Sequence, residues 1–192
     1  MPVGISLGWN CHPAMKGIEQ GLRKKKIDGY KTCPFDEMIT NYDGIVQCIE
    51  DDFQDFCTPE TLELKHIPNE SKYLKDDFIL YNKKYRFFFN HESPGHGNLW
   101  MDQKWPGGIN HFIANNYEKF IERYAKRIQN FREYLNSGEE IVFLIVPTRQ
   151  DNFQELRSVI SRKYPSLKYT VVSFPHQIDE QHYEDHMKLL CP

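Results

Sequence analysis

No stretch of this chain is apolar for long enough to cross a membrane; the longest such run, IVFLIVP from Ile141 to Pro147, is the size of a strand. The N-terminus shows neither the basic stretch nor the long apolar core of a secretion signal, so a cytoplasmic protein is expected. Paired cysteines are missing as well. The five cysteines, at 11, 33, 48, 57 and 191, form no CxxC pair, which argues for reduced thiols, and no Cys or His spacing repeats a zinc-ligand pattern. Neither a metal nor a cofactor is expected. Charge of one sign is not in excess: a net charge of -3 makes no electrostatic case for nucleic acid, and the single basic cluster, RKKK at 23–26, reads as a solvated turn. Internal repeats and low-complexity segments are absent.

What is present excludes disorder. Hydrophobic residues make up 40% and aromatic residues 14% of 192 positions, enough for one domain over 1–192 with a real core. PVGISLG reads as a short buried strand, and Pro13 suits the start of a helix continuing through AMKGIEQGLRKK. A turn at Pro34 precedes a helix carrying Ile45, Ile49, Phe53 and Phe56 on one face, while residues 58–76 show no clear period. DFILYNKKYRFFFNHE has the pattern of a hairpin around Asn82-Lys83-Lys84, and the Gly- and Pro-rich segment after it, with Trp100 and Trp105, that of a binding loop.

The second half alternates helix and strand. Tyr117, Phe120, Ile121, Tyr124, Ile128, Phe131 and Leu135 recur at helical spacing, IVFLIV is apolar throughout as in a strand covered on both faces, and a helix and a strand (LKYTVVSFP) follow. The fold class expected is therefore α/β, with a mostly parallel central sheet flanked by helices. Strands at about 3–7, 85–90, 141–146 and 168–174 should share one sheet, the last two parallel.

Ligands of such sheets gather at the carboxyl ends of the strands. Those loops carry Asn10, Cys11 and His12; then His91 and Glu92; then Arg149; and finally His176. Two readings of Cys11 compete: a small buried residue in a tight turn, or a nucleophile at a helix mouth whose dipole lowers its pKa. On the second reading Asn10 donates to an oxyanion, His91 is the base, and His12, Glu92, Arg149 and His176 border the substrate.

ISLGWNCHPAM, GLRKKKIDGYKTCPFDEMI, FFFNHE and RYAKRIQNFREYLNSGEEIVFLI together resemble a family described as papain-like cysteine peptidases. The shared pattern is Ser-Leu-Gly-x-x-Cys, Pro-Phe-Asp, Asn-His-acid, and a basic amphipathic helix leading into a buried strand. The resemblance implies Cys11 as nucleophile, His91 as base and Asp36 as an acid that orients a histidine or binds substrate. It also implies a papain-like α+β fold as the alternative to a parallel sheet. Three positions depart from the family pattern: Glu37 stands where Trp is usual, Glu92 where Asp is usual, and Lys126-Arg127 in place of Arg-Arg.

The reading that follows is a cysteine-dependent hydrolase acting on a protein or a small amide or ester, with no nucleic acid and no membrane as partner. Arg23, Arg127 and Arg149 motivate the alternative, a glycosyltransferase-like enzyme or binder of a phosphorylated or nucleotide-linked ligand. An inactive interaction module is the third.

Overall fold

The computed structural model describes residues 2–66, 78–94, 105–146 and 152–175. Its elements are β1 (Val3–Ser6), α1 (His12–Glu19), α2 (Tyr42–Glu50), β2 (Leu62–His66), β3 (Phe78–Asn82), β4 (Phe87–Phe88), α3 (Ala114–Leu135), β5 (Ile141–Ile145), α4 (Gln154–Lys163) and β6 (Tyr169–Ser173), with short 3-10 turns between them.

Three strands form a parallel sheet in the order β1-β5-β6, with Ile5 beside Phe143 and Phe143 beside Val171. The unbroken apolarity of β5 follows from cover on both faces. Ile141, Phe143 and Ile145 join Ile5, Leu7 and the buried faces of α2, α3 and α4 in one core. Val142, Leu144 and Val146 join Trp9, Ile39, Tyr81 and Phe88 in a second. On that second side α1 comes close enough that a Cβ at Gly17 would sit 2.2 Å from Leu144 Cδ1. The apolar spacing of α3 places Phe120, Tyr124, Ile128, Phe131 and Leu135 in the first core.

The mixed α/β class and the parallel β5–β6 pair are as the sequence implied. The single-sheet expectation needs correction. Residues 87–88 leave the parallel sheet and pair antiparallel with β3, which pairs with β2 in a second sheet ordered β2-β3-β4. β2 lies where no strand was expected: its edge position leaves Leu64 37% exposed, so it needs only a weak apolar pattern. α2 stops at Glu50, short of the expected length, because Asp52 and Phe53 adopt left-handed dihedrals (φ 52 and 62); Phe53 and Phe56 stay buried by a turn.

Candidate active site

The turn after β1 is built by close approach. Gly8 has φ 85, and a Cβ there would lie 2.2 Å from Thr40 Oγ1, so both backbone and space require glycine. The Thr40 hydroxyl donates to the Leu7 carbonyl (3.0 Å) and the Thr40 amide to the Trp9 carbonyl (3.1 Å). Asn10 Oδ1 accepts the His12 amide at 2.7 Å, capping the first turn of α1. Cys11 is the N-cap residue of α1, its carbonyl accepts the Met15 amide (3.0 Å), and it is exposed.

The segment from Pro34 to Asn41 brackets this turn and a second one. Phe35 is fully buried against Phe53, Phe56, Phe87 and Phe131, with ring centroids 5.7 to 6.2 Å apart. That plug holds the 3-10 turn Pro34–Glu37 in place. Ile39 then exchanges both backbone hydrogen bonds with Phe88 of β4, at 2.9 and 3.0 Å. β4 runs directly into the 3-10 turn Asn90–Glu92, where His91 is half-buried. Thr40 thus grips the Cys11 turn while its neighbour Ile39 grips the strand that presents His91.

Glu37 sits at the junction: its carboxylate acts electrostatically on Cys11, and His91 acts on it. Burial around the thiol, reinforced by Glu37, raises the Cys11 pKa above its ordinary value against the pull of a backbone hydrogen bond. The expected depression by the helix mouth is therefore overturned, because desolvation and a nearby carboxylate both oppose the thiolate. Burial also disfavours the charged Glu37, but Arg127 and Arg123, with a contribution from His91, outweigh it and hold the carboxyl below its ordinary value.

Those arginines belong to a cluster of five side chains, three on α3 (Arg123, Tyr124 and Arg127) and two from the turns facing it (Glu37 and Glu92). Arg127 Nη2 donates to Glu37 Oε2 at 2.6 Å, and Arg127 Nη1 donates to the Tyr124 hydroxyl at 3.3 Å. The Tyr124 hydroxyl in turn donates to Glu92 Oε2 at 3.0 Å. Arg123 Nε pairs with Glu92 Oε1 at 2.9 Å; the pair is close enough for ionic attraction but too bent to count as a hydrogen bond, so both atoms lack a well-aligned partner.

A model of one protein family, described as "Putative papain-like cysteine peptidase (DUF1796)", matches residues 3–178. The chain belongs to this family. No curated protein and no solved structure matches it. The family description supports a hydrolase reading in general terms.

Within this papain-like family member, the residues singled out from sequence divide. Cys11, Asn10 and His91 lie on the two bracketed turns. Asp36 is buried (1% exposed) and turned to Arg23: its Oδ2 lies 2.9 Å from Arg23 Nη2 and accepts the Cys33 amide (2.7 Å), while Oδ1 accepts the Tyr30 hydroxyl (3.3 Å). Burial raises the Asp36 carboxyl, Arg23 and the Cys33 amide pull it down, and burial is the larger effect. Glu92, expected beside the substrate, is 1% exposed and occupied by Tyr124 and Arg123; its place is beneath the arginines. His12, also expected there, is 7% exposed and sets its ring edge against Phe174, 6.4 Å away. Arg149 and His176, with Trp100 and Cys191, lie outside the described residues. Among the described residues no group of three or more His, Cys, Asp or Glu could hold a metal ion. Sequence reasoning missed Glu37 as a participant, along with Thr40 and Arg123. The signal for Glu37 was there, as an acid standing where the family pattern has Trp.

Proposed function

We propose that this chain is a cysteine-dependent hydrolase of amide or ester bonds, with Cys11 as nucleophile and His91 as base. The observation that carries this reading is the bracket: Cys11, an exposed residue at the mouth of α1 whose thiol is partly desolvated, and a half-buried histidine are held by adjacent residues, Thr40 and Ile39, of one segment. His91 accepts the Sγ proton as the sulfur attacks the carbonyl carbon, and the carbonyl π electrons move onto oxygen. Asn10 has spent its Oδ1 on the His12 amide, which leaves its Nδ2 to donate to that oxyanion. The oxyanion collapses, the bond to the leaving group breaks, and His91 returns the proton to it. Water, deprotonated by His91, then cleaves the acyl-thioester and restores the thiol.

The raised Cys11 pKa is what a Cys–His partnership has to overcome, and it favours a second reading, binding without chemistry. An iodoacetamide-type or acyl-electrophile probe with peptide mapping separates the two. The hydrolase reading expects Cys11 to label ahead of the other four cysteines, His91→Ala to slow that labelling at neutral pH, and Cys11→Ala to abolish turnover of amide and ester substrates. Labelling at Cys11 that His91→Ala leaves unchanged would sink the nucleophile–base pair.

A further inference from the structure

Beside Glu37, between the 26–32 loop and α3, the surface opens into a groove of about 580 Å³ whose walls include Lys26, Tyr30, Thr32, Lys126, Arg127 and Asn130. Five cations stand on these walls: Lys26, Lys31, Arg123, Lys126 and Arg127. Carboxylates already hold three of them. Glu37 and Glu92 take Arg123 and Arg127, and Glu133 takes Lys31 at 2.7 Å. Lys26 and Lys126 are exposed and make no ion pair among the described residues; the Lys126 ammonium donates to the neutral Gln129 at 3.3 Å and acts on the Glu133 carboxylate, already held by Lys31, only through its field. In a chain of net charge -3 this leaves a local positive surplus on opposite walls of one groove.

A second observation concerns the groove's polar lining. Asn130 is 6% exposed and its Nδ2 donates to the Thr32 carbonyl at 2.9 Å, which fixes the orientation of the amide. Its Oδ1, buried, has no partner. A buried acceptor without a donor is unusual in a folded protein and marks a place where an N–H or O–H belongs. The unpaired lysines favour a ligand carrying negative charge, and an outward turn of the Asn130 amide would offer its Oδ1 to a hydrogen-bond donor on the same ligand.

We propose that the groove takes an acidic stretch of a polypeptide, carboxylates toward Lys26 and Lys126 and a backbone N–H toward Asn130 Oδ1. A phosphate group fits the lining less well. The α3 wall is mid-helix, so its backbone amides are spent within the helix, and the two unpaired cations are lysines on flexible stems from different elements. Such separated point charges suit carboxylates spread along a chain more than one compact, bidentate anion. Glu37 is common to the groove wall and to the surroundings of Cys11 and His91, so a peptide lying there approaches the thiol. The inference thus rests on the hydrolase reading for its purpose, but not for its test.

The test is binding, in the Cys11→Ala full-length chain, by fluorescence anisotropy. The probes are a labelled peptide rich in Glu and Asp, its Gln and Asn counterpart, and a Lys-rich peptide of the same length. The expected result is at least tenfold tighter binding of the acidic peptide, lost in Lys26→Glu/Lys126→Glu, which should turn to prefer the Lys-rich peptide. Lys26→Gln/Lys126→Gln serves if the reversed pair does not fold, and should lose the preference for acid. Equal affinity for acidic and neutral peptides, unchanged acidic binding in the variants, or stronger binding of inorganic phosphate or a nucleoside triphosphate than of the acidic peptide would each overturn it. Since no turnover is measured, a silent nucleophile leaves this result standing. Conversely, Cys11 labelling governed by His91 with no peptide selectivity would retire the groove alone.

Discussion

Glu37 is the residue on which the site's acid–base behaviour turns. Its charge adds to burial in holding the Cys11 thiol protonated, so Glu37→Gln should move the pH profile of Cys11 alkylation to lower pH and speed alkylation at neutral pH. A profile that stays in place would remove Glu37 from the electrostatics of the thiol. The same variant has a stability signature. The folded-state pKa of Glu37 is depressed, so its contribution is fully present above the unfolded value near 4.5 and is lost as pH falls through the lower folded value. Wild type should thus lose stability relative to Glu37→Gln on acidification from about pH 5 downwards. The two denaturation midpoints should converge there. Asp36 predicts differently. Desolvation exceeds what Arg23 returns to it, so the pair adds little net stability, yet removing one charge strands the other: Asp36→Asn should cost about 3–5 kcal/mol in urea unfolding. A loss below about 1 kcal/mol would show that Arg23 finds water instead.

Among the elements, the short segment from Pro34 to Asn41 decides more than any helix. It has no regular hydrophobic period, but it contains the plug (Phe35), the buried acid (Asp36), the charged junction (Glu37) and the two grips (Ile39 and Thr40). Thr40→Val keeps the shape and removes the hydroxyl that meets Leu7, leaving a buried carbonyl short of one partner. The expected cost is about 1–3 kcal/mol. His91-dependent alkylation of Cys11 should weaken with it, because the Cys11 turn is freed on one side. Stability lost with alkylation unchanged would mean that Gly8 and the Asn10 cap hold the turn unaided.

At the scale of the whole molecule, one strand serves two cores. Phe143 and Leu144 are both fully buried on opposite faces of β5, so Phe143→Ala should cost about 3–5 kcal/mol and Leu144→Ala about 2–5 kcal/mol. Chemical denaturation reads both. A Leu144→Ala loss under about 1 kcal/mol would contradict the cover that α1 and Trp9 give to that face. Two sheets of different kind meet around the site: Cys11 follows a strand of the parallel sheet, and His91 follows a strand of the antiparallel one. The parallel-sheet expectation thus described one of the two sheets.

The amino-acid sequence by itself determined the elements whose burial is periodic or complete. IVFLIV could only be a strand covered on both faces, and the residues from Phe120 to Leu135 repeat often enough to specify a helix and its inward side, whereas Tyr117, expected on the same face, takes left-handed dihedrals (φ 65). It also placed Cys11 at a helix mouth, since Gly8, Asn10 and Pro13 are local signals read over a few positions. Only the tertiary structure decided which sheet holds residues 87–88, because hairpin strands carry no mark of a third partner beyond the register of Ile39 with Phe88. It alone buried His12 and Glu92 and turned Asp36 to Arg23, since a polar residue in a loop looks the same whether its partner is water, substrate or an arginine distant in the chain. The direction of the Cys11 shift was beyond local reading for a related reason. A helix mouth is a property of neighbours in sequence, whereas the desolvation and the Glu37 carboxylate that outweigh it arrive from 26 residues further along the chain, by folding.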